Sequence, residues 1–384
     1  TSSLSLNRAT STLRQPGSTF KLVSTYAPAL NECGMTLATT YTDKPITYKD
    51  GTPVKNATNS YRGETTIREA IIHSINTVAV QCFTDVTPQL GYEYLKKFGF
   101  TTVYDNISIN GKIYTDIQQP TALGGITRGV SNLELTGAYA AIANSGTYIK
   151  PMFYTKILDE DGNVVIDNTP EERKVIKPST AYLLTSAMED VVNQGTGTAC
   201  QLDDMTVAGK TGTTDAYNDL WFVGYTPYYT CAVWSGYDGN QKIPEGDARN
   251  FHKTLWRKVM NRIHQGMEYK DFEVPDGIEQ ISICADTGLL PRVGCPVTEE
   301  YFDVGTMPTE YCDQHFYEYD ESQDEDMEIS DENATPTPDP ENPDGTDNTD
   351  GSGGDGTGGD GTGGDGIGGD GTGGDGTGGG DIQY

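Results

Sequence analysis

A serine followed three residues later by a lysine, in Ser18-Thr19-Phe20-Lys21, is the first arrangement in this sequence able to carry covalent chemistry. On a helix, positions i and i+3 share a face, so the Lys21 amine can approach the Ser18 hydroxyl. A free serine is a poor nucleophile and needs a base. Lysine serves only where burial or neighbouring positive charge keeps it neutral. A helix N-terminus at Ser18 would also turn backbone N–H groups toward a developing oxyanion. Such a pair is expected roughly once by chance in a chain of this composition, so it needs company.

Ser-x-Asn occurs twice, as Ser74-Ile75-Asn76 and Ser108-Ile109-Asn110. The first breaks a helical stretch, which aims side chains into a cleft. The second lies between short β-like runs beside Asn106 and Gly111, where a plain turn accounts for it. Ser74 and Asn76 are therefore the favoured pair. Lys210-Thr211-Gly212-Thr213 lies on the first of several late strands. A glycine inside a strand marks close approach by another backbone or a ligand, and a lysine with hydroxyls beside it suits a substrate carboxylate. Alone, that lysine would read as edge-strand protection.

The elements that must position these groups read as α+β, an antiparallel sheet flanked by helices. Arg14-Gln15-Pro16-Gly17 is a turn delivering the chain into a helix near Ser18. Residues 65–72 have helical composition, and helix resumes from Val78 to Phe83. Thr87-Pro88 opens another helix that Gly99 closes. Ser131 and Glu134 form a capping box for a helix ending near Gly146, and Lys177-Pro178-Ser179 starts one that runs to about Asn193. After Gly195 the period changes. Thr206–Gly209, Leu220–Tyr225 and Thr230–Tyr237 read as consecutive antiparallel strands. Phe251, Leu255, Val259 and Ile263 then recur every four residues with Trp256 and Met260 alongside, a helix whose apolar stripe is expected to lie on the sheet.

Charge divides the chain. Of its 384 residues 56 are acidic and 26 basic, yet 21 of the acids fall in residues 313–384, which hold no Lys or Arg. A five-residue Asp-Gly-Thr-Gly-Gly repeat begins at Asp355, with Ile367 its single apolar position. Nine-residue calcium-binding repeats need an apolar position in every turn, so residues 319–384 are expected to be an acidic, Gly/Asp/Thr-rich disordered tail. Residues 1–275 would form the main domain, and 276–318 a Cys-containing extension. Clustered Lys/Arg for phosphate contacts is missing, which excludes nucleic acid as a partner. No run approaches the 18 apolar residues of a membrane span. The seven cysteines include no pair or Cys/His cluster at zinc-site spacing, so no metal and no cofactor is expected. Cys82 and Cys231 lie in apolar runs as free thiols would. In an oxidising compartment, one disulfide could form among Cys284, Cys295 and Cys312.

Ser-x-x-Lys, Ser-x-Asn and Lys-Thr-Gly together form the motif set of penicillin-recognising serine enzymes. Three longer stretches extend the likeness: Arg14-Gln15-Pro16-Gly17-Ser18-Thr19-Phe20-Lys21, Ala208-Gly209-Lys210-Thr211-Gly212-Thr213-Thr214, and Leu220-Trp221-Phe222-Val223-Gly224-Tyr225-Thr226-Pro227. Over about residues 5–265 the chain resembles the transpeptidase domain of class A penicillin-binding proteins, with Gly129–Gly146 and Gly195-Thr196-Gly197 also fitting. The resemblance implies the penicillin-binding protein/serine β-lactamase-like fold and a D-Ala-D-Ala transpeptidase acting on peptidoglycan stem peptides and trapped by β-lactam antibiotics. Ser18 would be the nucleophile and Lys21 its base, Ser74 would pass the proton to the leaving D-alanine, and Asn76 would hold the substrate amide and Lys21. Lys210, Thr211 and Thr213 would bind the terminal carboxylate beside Gly212, and backbone N–H groups of Ser18 and Thr213 would form the oxyanion hole. It further implies a glycosyltransferase domain, a membrane anchor and early sheet strands preceding residue 1, and work on the extracytoplasmic face of a bacterial membrane. A serine β-lactamase and a penicillin-sensing receptor domain share the motifs. Sensors usually carry an apolar residue where Asn76 stands.

Overall fold

The computed structural model describes residues 5–315, so the expected tail at 319–384 lies outside the described residues. After a turn at residues 14–16 the chain enters a 3-10 turn, Gly17–Thr19, then π-helical Lys21–Tyr26 and a short α-helix, α1 (Ala27–Asn31). The sequence reading expected an ordinary helix here. The turn is tightened before Lys21 and widened after it, and every residue of the π segment is buried. Two short strands, β1 (Thr40–Asp43) and β2 (Gly63–Thr66), pair antiparallel and lead into α2 (Ile67–Ile72), α3 (Asn76–Val86) and α4 (Pro88–Lys97). A hairpin of β3 (Ile107–Ile109) and β4 (Lys112–Tyr114) follows, then α5 (Asn132–Ala143) and α6 (Pro178–Asn193). Ser131 and Glu134 make the expected capping box at α5, and α6 keeps its expected ends.

The late strands β5 (Ala208–Thr213), β6 (Asp219–Tyr225) and β7 (Thr230–Gly236) form one antiparallel sheet in chain order. β5 starts later than the sequence suggested and runs through the Lys-Thr-Gly residues. Every residue of β6 is buried, whereas β7, at the far edge, is half-exposed throughout. The main core joins Phe20, Tyr26, Tyr94, Tyr139, Trp221 and Tyr225, each contributing about 1.5–3 kcal/mol for its apolar surface. It ties the Ser18 segment to α4, α5 and the sheet.

The last helix, α7 (Phe251–Ile263), does lie on the sheet, but it buries only the Trp256 and Met260 side of the expected broad stripe. Its buried residues are His252, Trp256 and Met260. Phe251, Leu255, Val259 and Ile263 are 56%, 37%, 40% and 45% exposed, which corrects the assignment of the stripe. Trp256 decides the rotation, stacking edge-on against Phe222 at 4.9 Å and donating its indole N–H to the Cys231 carbonyl at 2.9 Å. A tryptophan needs a partner for that N–H when buried, and β7 supplies it.

Beyond α7 the extension forms a hairpin of β8 (Ile278–Cys284) and β9 (Val297–Asp303). Its anchor is Arg68 on α2, which reaches both Glu300 carboxylate oxygens at 2.7 Å and Asp190 at 2.6 Å. Glu300 is almost fully buried, and leaving such a carboxylate unpaired costs about 3–5 kcal/mol. All seven cysteines, which lie among the described residues, are free thiols, so Cys284, Cys295 and Cys312 are unpaired here. Cys284, Cys295 and Cys312 instead converge with His315, their ligand atoms within 4.8 Å of one another. Cys312 and His315 form one short Cys-x-x-His pair, but Cys295 and Cys284 lie 17 and 28 positions before Cys312, too far for the sequence alone to show a cluster. Only the hairpin brings them together.

Candidate active site

Segment 14–21 is laid across the end of the sheet by backbone bonds. Arg14 and Val130 exchange N–H to carbonyl bonds of 2.9 Å. Trp221 donates its indole N–H to Gln15 O at 2.9 Å, and the Tyr139 hydroxyl donates to Thr19 O at 2.8 Å. Gly17 adopts φ +55°, and a Cβ there would lie 2.8 Å from Thr213 O; at Gly212 it would lie 2.6 Å from Pro16 O. Only glycine allows the two backbones this close. Gly212→Ala is expected to leave the fold intact by circular dichroism while slowing β-lactam acylation about tenfold or more, because it pushes the Ser18 turn off β5. An unchanged acylation rate would show that this spacing is immaterial.

The same contact exposes donors. Thr214 N–H bonds to Asp219 O at 3.1 Å. Hydrogen-bonded pairs alternate along an antiparallel ladder, so Gly212 and Lys210 turn their N–H groups toward β6, while Thr211 and Thr213 turn theirs to the free edge of β5. At Thr213 that edge faces the Ser18 turn.

α2 ends where the Ser74 and Ile75 N–H groups bond back to Ile71 O and Ala70 O. Ser74 stands at φ +56°, a left-handed conformation costly for a residue with a Cβ, and α3 starts immediately at Asn76. The kink directs both side chains toward Lys21. Lys21 Nζ, fully buried, donates to Ser74 O at 2.7 Å and Asn76 Oδ1 at 2.6 Å, with Ser74 Oγ at 3.3 Å. Lys210 Nζ, also fully buried, donates to Ser74 Oγ at 2.8 Å and to Thr211 O at 3.2 Å. The Ser74 hydroxyl thus bridges two amines from elements 53 and 136 residues away in sequence. Ser18 is half-buried on the turn just before Lys21. Ser108 is exposed on the β3–β4 hairpin, where Asn110 and Gly111 supply the two positive-φ turn residues. The structure therefore groups Ser74, Asn76, Lys21 and Lys210 and leaves Ser108 and Asn110 outside.

Burial pushes the Lys21 amine well below the ordinary lysine range, and the charge of Lys210 pushes it the same way. Burial alone brings Lys210 down to about 7. Both lysines bind fewer protons in the native state than in the unfolded chain, and for Lys210 this makes stability rise with pH from about 7 up to the ordinary lysine value. Unfolding free energies from urea titrations at about pH 7 and about pH 8.5 should rise more for this chain than for Lys210→Met, by about 1 kcal/mol per pH unit. A variant with an equal or steeper rise would show that Lys210 stays charged.

Three contributors carry no motif. Asp43, buried on β1, accepts from Asn56 Nδ2 at 2.8 Å, from Arg62 N–H at 2.9 Å and from the Thr77 hydroxyl. Asn56 Oδ1 in turn accepts the Asn76 N–H at 2.9 Å, while Asn76 Nδ2 donates to Lys55 O at 2.7 Å. This chain of bonds holds the Asn76 amide with its oxygen toward Lys21. Thr196, between Gly195 and Gly197, shares a 2.7 Å hydroxyl–hydroxyl bond with Thr211. Its sequence signal is the Gly195-Thr196-Gly197 run that fits the resemblance, with no role attached to the hydroxyl there. An open groove leads off from these groups, lined by Gly17, Asn76, Gly124, Thr213, Thr214 and Asp215.

A family model described as the penicillin binding protein transpeptidase domain matches residues 3–261, and one described as the penicillin-binding protein 1A C-terminal domain matches residues 274–317. Penicillin-binding protein 1A of Clostridium tetani is 34% identical over 329 residues, covering 81% of this chain and 41% of that protein. The chain thus spans about two-fifths of the length of that relative. Among solved structures, penicillin-binding protein 1A from Haemophilus influenzae superposes with a TM-score of 0.68 at 25% identity, covering 80% of this chain and 50% of that one. The PonA1 protein of Mycobacterium tuberculosis, solved in complex with penicillin V, gives 0.61 at 26%, covering 71% and 74%.

Proposed function

The chain belongs to the penicillin-binding protein transpeptidase family, and from that premise we propose that its site joins peptidoglycan stem peptides through a serine acyl-enzyme. The observation that carries this reading is the Ser74 hydroxyl held between two desolvated lysines, one of them three residues beyond Ser18. Neutral Lys21 takes the Ser18 proton as Ser18 Oγ attacks the carbonyl between two terminal D-alanines. The tetrahedral oxyanion is met by the N–H groups of Ser18 and Thr213. As the C–N bond breaks, the proton passes from Lys21 through Ser74 to the leaving amine, while Lys210 donates a hydrogen bond to the Ser74 oxygen. An amine of a neighbouring stem peptide then attacks the ester, its proton returns by the same route, and Ser18 is regenerated. Lys210 with the Thr211 and Thr213 hydroxyls would hold the terminal carboxylate. β-Lactams would enter as mimics of the D-alanyl-D-alanine end and stay on Ser18, as the penicillin V complex of the mycobacterial relative suggests for this chain too.

Stem-peptide cross-linking assayed beside penicillin hydrolysis tests the proposal. Cross-linked dimer with slow hydrolysis supports it. Rapid hydrolysis without dimer would make the site a β-lactamase, and acylation with neither product a sensor. We further propose that the polypeptide carrying this chain also holds a peptidoglycan glycosyltransferase domain and a membrane anchor, and works on the extracytoplasmic face. The greater length of its relatives supports this, and the gene sequence upstream of Thr1 tests it. No helix among the described residues is long and apolar enough to cross a membrane.

A further inference from the structure

We propose that Cys284, Cys295, Cys312 and His315 form a tetrahedral site for one structural zinc ion. Cys284 closes β8, Cys295 lies in the connection to β9, and Cys312 and His315 follow β9, so four separate points of the extension meet. His315 Nδ1 lies 3.5 Å from Cys284 Sγ and 3.3 Å from Cys312 Sγ. A tetrahedral ion with ordinary Zn–S and Zn–N bonds would hold sulfur and nitrogen about 3.5 Å apart. Cys284 and Cys312 are fully buried while Cys295 and His315 are half-buried, and four protein ligands leave no open coordination position, as in structural zinc sites.

Two outer contacts suit a bound metal. The other ring nitrogen of His315, Nε2, faces Asp286 Oδ2 at 3.2 Å, the carboxylate–histidine arrangement that orients a ligating imidazole. The Arg292 backbone N–H points at Cys295 Sγ from 3.2 Å, as it would toward a thiolate. Three soft sulfurs and an imidazole favour zinc over magnesium or calcium, which take oxygen ligands. A disulfide would use only two of the three thiols and would leave the aim of His315 without a reason.

The extension also needs such a staple. Between residues 274 and 315 the only fully buried apolar side chains apart from the cysteines are Ile283 and Phe302, and segments of about 40 residues seldom fold on so small a core without a metal or disulfide. Binding is simple ligation: each thiol loses its proton, a metal–sulfur bond forms, and nothing is oxidised or reduced. The ion would fix residues 284–315 as a unit against α2, where Glu300 already meets Arg68.

The test uses the full chain purified under reducing conditions. Elemental analysis should find one zinc per chain, and exchange for cobalt should produce the visible bands of a tetrahedral thiolate site. Cys312→Ser and His315→Ala should each lower metal content at least several-fold and weaken those bands, while Cys33→Ser, at an exposed thiol, should change neither. Retained penicillin labelling in the metal-poor variants would show that the loss is local. If a variant fails to fold, cobalt titration of the unaltered chain decides. No metal and no cobalt bands in the reduced chain would overturn the proposal, as would peptide mapping that finds a disulfide between two of the three cysteines in protein isolated without oxidant.

Discussion

Ser18→Ala is expected to abolish covalent labelling by a fluorescent penicillin, and Ser74→Ala to slow it by a factor of about 10²–10⁴, while Ser108→Ala labels normally. The first substitution removes the oxygen proposed to form the ester, so no residual rate is expected. The second removes the proposed proton carrier, and a positioned acid or base contributes about that factor. Among the described residues, Ser74 Oγ is the single hydroxyl that both Lys21 and Lys210 reach. Ser108, by contrast, is solvent-exposed on a short hairpin. The assay is gel fluorescence over time, with circular dichroism confirming that each variant folds. Equal losses in folded Ser74→Ala and Ser108→Ala variants would overturn the assignment of the second motif.

Penicillin is also expected to stay on Ser18 for minutes to hours. Clearing an acyl-enzyme quickly requires a carboxylate that activates water beside the ester, a role filled by Glu in class A β-lactamases. No Glu occurs between Glu93 and Glu134, the window where it would fall. Of the acids nearby, Asp116 is fully buried and committed, accepting from Tyr104 N–H at 2.8 Å, Thr127 N–H at 2.7 Å and the Thr127 hydroxyl at 2.6 Å. Asp105 is exposed. Glu189 on α6 bonds to the Thr206 hydroxyl at 2.8 Å, and burial raises its pKa. Intact-mass spectra taken after removal of free drug would follow the adduct. Its disappearance within seconds would favour a β-lactamase, and Asp215, which lines the groove, would be the first carboxylate to replace.

The amino-acid sequence alone determined what depends on neighbours along the chain. The α5 capping box, the proline-led starts of α4 and α6 and the order of β5, β6 and β7 all follow from hydrogen bonds and side-chain periods closed within a few residues. The three motifs were legible for the same reason, being short and contiguous. Tertiary structure decided what depends on distant partners. Sequence periodicity shows that α7 has apolar positions, but the face it buries follows from the bond between Trp256 and β7. Sequence context favours Ser74 over Ser108 because it breaks a helical stretch, but only the convergence of Lys21 and Lys210 on Ser74 shows what that hydroxyl touches. Asp43 and Asn56, which hold Asn76, are ordinary polar residues until β1 comes beside α3. Cys312 and His315 stand at an ordinary ligand spacing, but Cys284 and Cys295 show none, and only the fold around the β8–β9 hairpin brings all four within 4.8 Å. Each of these depends on a burial or hydrogen bond whose two halves lie far apart in the chain, and a local pattern carries no record of it.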